Sequence, residues 1–455
     1  MAYLGNTPTT QSFISGTDYF NGTGSQTAFT LSRTVASIND IQVTVNNVVQ
    51  QPNDAYTISG TTLTMTSAPS AGTNNVYVRY LSTTTQAITP SQGTVSWSTL
   101  NSDVQQDLGI SYKNRIINGN MVIDQRNAGA SVTLNGSESY ITDRFACGDV
   151  TDGVFTAQQV TDAPAGFINS LKCTITTADS SLTATQNAYC FQSIEGLNIA
   201  DLAWGTASAK TVTLSFWVKS SLTGTFGGAL RNSAANRSYP YSYTISSANT
   251  WEQKTVTIVG DTTGTWLTTN GVGINLQFSL GAGSDRTGTA GAWNSNNNVG
   301  ATGQVQVIGT LNATWQITGV QLEVGTQATT FTTAGGSYGA ELVLCQRYFQ
   351  RTQYYATSGG YPTFTSYIGL SIGANNWFWH SVYFPVTMRT DATITTSDFN
   401  GNIGKISIWT SSGGATASNI NPYTLTSSRD AFSYSEYDNA KFGIGINGYI
   451  ASAEL

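Results

Sequence analysis

A chain of 455 residues is too long for one ordinary core, and length alone divides it into about three domains. Only 10% of its residues are charged, against roughly 25% in an average soluble protein, while 46 glycines and abundant Thr, Ser and Asn fill the difference. A net charge of −6 with no Lys/Arg cluster excludes the electrostatic footprint that nucleic acid or an anionic membrane surface requires.

The opening MAYLGNTPTT lacks the basic and apolar regions of a secretory signal, and no apolar run approaches membrane-span length. The chain is therefore expected to be made and folded in a cytoplasm. Residues 1–85 form a first unit, in which DIQVTVNNVVQ, YTISGTTLTM and NVYVRYL alternate apolar and polar residues with period two. The alternation points Ile41, Val43, Val45 and Tyr77 into one small sandwich core, with Pro52-Asn53-Asp54 and Ala71-Gly72-Thr73 as turns. Residues 86–114 are a linker holding a helix, SWSTLNSDVQQDLG, whose Leu100, Val104 and Leu108 form one apolar stripe. Such a stripe packs on a neighbouring domain or on two copies of itself around a trimer axis.

Residues 115–334 make the largest unit. KTVTLSFWVKS, WEQKTVTIVG, GVGINLQFSL and WQITGVQLEVG read as strands of a jelly-roll sandwich, joined by Gly/Asn-rich loops. A connecting helix is expected over 335–351, where YGAELVLCQRYFQR sets Leu342, Cys345 and Phe349 on one face. Residues 352–455 are again short strands, rich in aromatics, ending in FGIGINGYIASAEL as a last strand. The fold class is thus all-β: several β-sandwich or jelly-roll domains in series with short connecting helices.

Chemistry is sparse. The single histidine, His380, lies in an aromatic strand, and no G-x-S-x-G elbow accompanies it. Cys147, Cys173, Cys190 and Cys345 lack metal-type spacing and are expected to be buried, reduced thiols. GAGSDRTG has neither the Lys nor the following helix of a phosphate cradle. A polysaccharide-cutting reading would need paired carboxylates, for which Asp143, Glu195, Glu323, Asp391, Asp398, Glu436 and Asp438 are the candidates, yet no β-helix repeat is visible. No catalytic residue, metal or cofactor is therefore assigned. Aromatic side chains on loops suit sugar rings better. Tyr423, Tyr434 and Tyr437 are the preferred surface contacts, with Trp409 and Tyr361 beside them, while Trp377 and Trp379 share a strand parity and read as core. In the middle unit, Trp266 and Trp293 stand next to Gly/Asn/Thr-rich loops as sugar-contact candidates.

Three stretches carry a resemblance. The segment from Phe20 to Leu81 looks like the N-terminal attachment module of bacteriophage tail fibres. NRIINGNMVIDQRNAGASVT, YITDRF and WQITGVQLEVGTQATTF are similar to the carbohydrate-binding-like sandwich placed mid-fibre in such proteins. YGAELVLCQRYFQR with FPVTMRTDATITT resembles the start of their distal domain. The resemblance implies a homotrimeric, non-enzymatic virion protein. Residues 1–85 would bind phage tail proteins, and a distal domain would bind a host-surface glycan or protein. A polysaccharide-degrading tailspike, a bacterial adhesin, and a capsid fibre or tail adaptor are the alternatives.

Overall fold

The computed structural model describes residues 16–81, 113–352, 366–368, 377–398, 402–410, 415–422, 424–437, 441–446 and 448–455. The expected helix over 96–109, Tyr361 and Tyr423 lie outside the described residues. The chain divides into two compact units, Met1–Leu100 and Asn101–Leu455.

In the first unit, β1 (Thr17–Gly22), β7 (Gly72–Tyr80), β3 (Ile41–Val45) and β4 (Val48–Val49) form one antiparallel sheet in that order. A second sheet has β2 (Ala28–Thr30), β6 (Thr62–Met65) and β5 (Tyr56–Ser59). The β3–β4 hairpin turns on Asn46 and Asn47, both at positive φ, as a two-residue turn demands. Ile41 and Val43 enter the core as the alternation requires, and Val45 packs at its margin. Tyr77 does not. On β7 the buried parity is Val76, Val78 and Tyr80, so Tyr77 faces the other way and meets Tyr19 at 6.0 Å.

The second unit is built on two six-stranded antiparallel sheets. Sheet 1 runs β17 (Glu252–Ile258), β14 (Val212–Ser220), β21 (Thr314–Val324), β12 (Ser170–Thr177), β11 (Val154–Val160) and β8 (Val132–Leu134). Sheet 2 runs β16 (Ser238–Ile245), β15 (Gly224–Arg231), β18 (Val272–Ala282), β13 (Asn187–Glu195), β10 (Phe145–Val150) and β9 (Glu138–Thr142), and a short parallel pair, β19 (Thr287–Gly288) and β20 (Gly300–Ala301), forms a separate two-stranded sheet. Their inner faces meet through Phe216 with Tyr243 and Phe278, and Phe278 with Trp315, at ring separations of 5.0, 5.2 and 5.8 Å. The all-β sandwich class read from the sequence is the class observed.

Cys147 and Cys190 are direct cross-strand partners on the inner face of sheet 2 and are joined as a disulfide, correcting the expectation of reduced thiols. The sequence showed their separation but not the register that sets them opposite one another. Cys173, inward on sheet 1, brings its sulfur 3.3 Å from that of Cys190, and Cys345 is a buried free thiol.

Helix α1 (Tyr338–Gln346) starts at Ser337, whose hydroxyl accepts from the Ala340 N–H. It is shorter than expected, because Phe349–Arg351 forms β22 and pairs with β31 (Gly448–Ser452). Beyond it lie β23 (Ser366–Ile368), β24 (Trp377–Tyr383), β25 (Thr393–Ser397), β26 (Ile406–Thr410), β27 (Ala415–Ile420), β28 (Thr424–Ser427), β29 (Ala431–Tyr437) and β30 (Lys441–Ile446). The last aromatic-rich segment thus yields two strands, β30 and β31, where one was expected. Strand β31 sits between β22 and β25, so late residues close a sheet opened at residue 349. Past it, Glu454 accepts from Arg126 and Arg144, and Arg389 donates to the carbonyls of Ala453 (2.8 Å) and Glu454 (2.7 Å).

Candidate functional site

On the outer face of sheet 1 the strands leave an open cleft of about 520 Å³. Its floor is the half-buried indole of Trp217, which alternation on β14 turns away from the core residues Phe216 and Val218. Gln253 stands directly opposite on β17, exposed. Phe167 and Phe331 form the walls, edge to face at 5.1 Å, with Thr329 and the exposed Thr330 beside Phe331.

A bulge shapes the floor. Between Ser215 and Trp217 the register of β14 against β21 slips by one residue, and Gly319, in the extra stretch, has φ +62°. A Cβ at Gly319 would lie 2.6 Å from the Phe167 ring and 3.1 Å from the Trp217 indole. Glycine therefore lets both rings close over bare backbone.

Each wall is anchored by a carboxylate. Glu323, almost wholly buried, accepts from the Thr329 N–H (2.9 Å) and hydroxyl (2.7 Å) and from Gln321 Nε2 (2.8 Å), with Lys113 at 3.7 Å. Gln321 in turn accepts from the Thr332 N–H at 2.9 Å. At the other wall, Asp162 pairs with Lys219, two residues along β14 from Trp217, and accepts from Trp251 Nε1 at 3.3 Å. The hydrogen bond from Lys219 holds the Asp162 carboxyl below its ordinary range. The cleft lining itself carries no ionisable side chain. It can stack a flat apolar ring face and hydrogen-bond the ring's edge, which is the chemistry a sugar presents.

The expected site residues fall elsewhere. Trp266 is buried, packed with Trp204 at 4.8 Å and Trp293 at 5.3 Å, and its indole N–H donates toward Asp261 at 3.3 Å. Burial works against the Asp261 charge, but the Arg237 ion pair outweighs it and holds the carboxyl low. Trp293, half-buried, donates to the Val259 carbonyl at 2.7 Å. The loop glycines suggested accessible rings; packing against each other instead makes these three tryptophans a core cluster. Tyr434 and Tyr437 lie on β29, not on a loop, and Tyr434 is fully buried with its ring 5.4 Å from that of His380. The Asp-rich and Ser-rich flanks of this segment imitate a loop, whereas β29 is the central strand of its sheet. Trp409 lies on β26, and Trp377 and Trp379 on β24. Among the carboxylates, Asp143 accepts from the Gln125 backbone at 2.6 Å, and Glu195 accepts from Arg347 (2.6 Å) and Tyr348 (2.6 Å).

Trp217, Phe167 and Phe331 were missed by sequence reasoning. Trp217 sat inside a strand already read as core, and only its parity against Phe216 and Val218 marks it as outward. Spacing also hid the cluster of Cys147, Cys173 and Cys190, whose sulfurs lie within 4.8 Å of one another. Two of the three are bonded to each other.

No protein-family model matches this chain, and no curated protein does. Among solved structures, it is similar to the enzymatically active domain of a Bacteriophage CBA120 tailspike, at 13% identity and TM-score 0.26 over 48% of this chain and 22% of that one. It is likewise similar to a putative sugar-binding protein of Bacteroides thetaiotaomicron, at 12% identity and TM-score 0.27, over 47% of this chain and 100% of that one. A family 11 carbohydrate-binding module from Clostridium thermocellum aligns at 12% identity and TM-score 0.23, over 43% of this chain and 98% of that one.

Proposed function

We propose that this chain is a structural subunit of a bacteriophage tail fibre that binds a host-surface glycan, without cutting it, through the cleft around Trp217. The observation carrying the binding reading is that cleft: three aromatic rings and uncharged amide and hydroxyl groups around about 520 Å³ open to solvent. That volume falls within the range of small-ligand sites. The virion assignment is supported by the tail-fibre resemblance of the stretches 20–81, 114–133, 140–145, 315–331, 338–351 and 384–396. Non-catalytic action is supported by the commitments of Asp143, Glu195 and Glu323 to internal hydrogen bonds. A homotrimer would multiply a shallow site of this kind into useful avidity.

The test is binding of the full chain to an array of host-type surface glycans, wild type against Trp217→Ala. Loss of the stacking floor should weaken binding to neutral glycans roughly tenfold or more. Unchanged binding by the variant would remove the cleft from the mechanism, and shortened glycan chains after incubation would favour the tailspike alternative.

A further inference from the structure

The four-stranded sheet of the first unit has an outer face that its core does not use. Cross-strand register sets Tyr19 on β1 opposite Tyr77 on β7, Tyr77 opposite Thr44 on β3, and Thr44 opposite Val49 on β4. These side chains therefore form one row across the whole sheet, on the side away from Val43, Val76 and Val78. Tyr19 and Val49 are 61% and 57% exposed, Tyr77 is half-buried, and Thr44 is only 3% exposed. The row is thus a shallow apolar groove. Its banks are the two tyrosine rings, 6.0 Å apart, and Val49, and Thr44 is its floor.

The two sides of the groove differ. Along one, Asn75 Nδ2 donates to Asn46 Oδ1 at 3.1 Å and Asn46 Nδ2 to Ser70 Oγ at 2.9 Å, so the amides there are committed to one another. Along the other, Arg79 stands between its cross-strand partners Thr17 and Gln42 and is exposed. Among the described residues it has no carboxylate within ion-pair distance. The other charge on these four strands, Asp18, faces the opposite way and accepts from the Ser32 N–H (2.7 Å) and the Tyr80 hydroxyl (2.6 Å).

This charge pattern selects the occupant. A second copy of the same face could match the apolar row, but it has no carboxylate to offer and would leave Arg79 unpaired in a closing interface. A partner with a carboxylate removes that cost. We infer that this face seats the first unit on a tail protein whose contacting segment lays apolar side chains along Tyr19, Tyr77 and Val49 and sets a carboxylate on Arg79. This rests on the tail-fibre reading above and gives it a surface and a partner chemistry. Arg79 is two residues along β7 from Tyr77, which puts the partner's carboxylate roughly 7 Å from its nearest apolar anchor. Exposed tyrosine and arginine are also the residue types on which interface energy concentrates.

The experiment adds the full chain to tails purified from particles assembled without it and measures bound chain by quantitative immunoblotting over a concentration series. Tyr19→Ala and Arg79→Glu, both at exposed positions, should each weaken attachment by about tenfold or more, and rising salt should weaken the wild type but not Arg79→Glu. Hydroxyl-radical footprinting should find Tyr19 oxidised in the free chain and shielded on tails. Full attachment by both variants, with none by a chain lacking residues 1–85, overturns this face and leaves the first unit as the attachment module. Attachment by the chain lacking residues 1–85, or no attachment by the intact chain, overturns that reading too. If Tyr19 is already shielded in the free chain, light scattering tells whether a second copy or the chain itself covers the face, and either overturns the inference.

Discussion

Gly319 illustrates how much rides on one absent side chain. Its positive φ and the proximity of Phe167 and Trp217 leave no room for a methyl group. Gly319→Ala should therefore lower the denaturation midpoint through strain costing about 1–3 kcal/mol, and should weaken neutral-glycan binding as the rings part. Unaltered binding would mean the rings tolerate separation. At Asp143, burial raises the carboxyl to about 6 although Gln125 donates to it. A folded-state value above the unfolded one, near 4, means the fold favours the protonated form. Its contribution is complete below pH 4 and is lost as pH rises through 6, a difference of up to about 3 kcal/mol. Asp143→Asn should flatten that part of the stability–pH curve measured by guanidinium unfolding, while an unchanged slope would assign it to other groups. Neither feature was legible in the sequence. A single glycine in WQITGVQ and an aspartate in YITDRF look ordinary until the bulge and the burial are seen. The same limit explains Trp266 and Tyr434: turn-forming neighbours mark where a chain bends, not which rings end up covered.

At the scale of elements the period-two pattern did most of its work. β14, β17, β18 and β21 fall where KTVTLSFWVKS, WEQKTVTIVG, GVGINLQFSL and WQITGVQLEVG alternate, because inward Leu214, Phe216 and Val218 leave no other parity available. Pairing was beyond reach, since alternation fixes a strand's faces and not its neighbours. So the Cys147–Cys190 register, and the conversion of residues 349–351 from helix to strand, became visible only in three dimensions. The cleft wall at 326–332 belongs to this scale as well, an irregular segment held to sheet 1 by side chains instead of ladder bonds. Replacing Glu323 with Ala would strand the Thr329 N–H and the Lys113 ammonium together. The expected outcome is a loss of roughly 3 kcal/mol in unfolding free energy, with faster proteolysis confined to the 326–332 segment. Cleavage spread evenly over the chain would show that Glu323 supports the sandwich and not the wall.

For the molecule as a whole, the first unit is a separate compact unit with its own core of Val43, Tyr56, Leu63, Val76 and Val78. Deleting residues 1–85 should therefore leave the glycan array profile unchanged while abolishing incorporation into assembled tails, which immunoblotting of purified particles would read. Continued incorporation would move the attachment function out of this unit. The second unit is tied differently. Strand β31 completes a sheet begun at β22, and Glu454 reaches Arg126 and Arg144, the latter 310 positions earlier. During synthesis Arg126 and Arg144 therefore lack the Glu454 carboxylate until residues 448–455 leave the ribosome. The sheet begun at β22 closes only with the last strand, and a nascent chain halted before residue 448 carries its own mark of incompleteness: an open sheet between β22 and β25 for quality control to find.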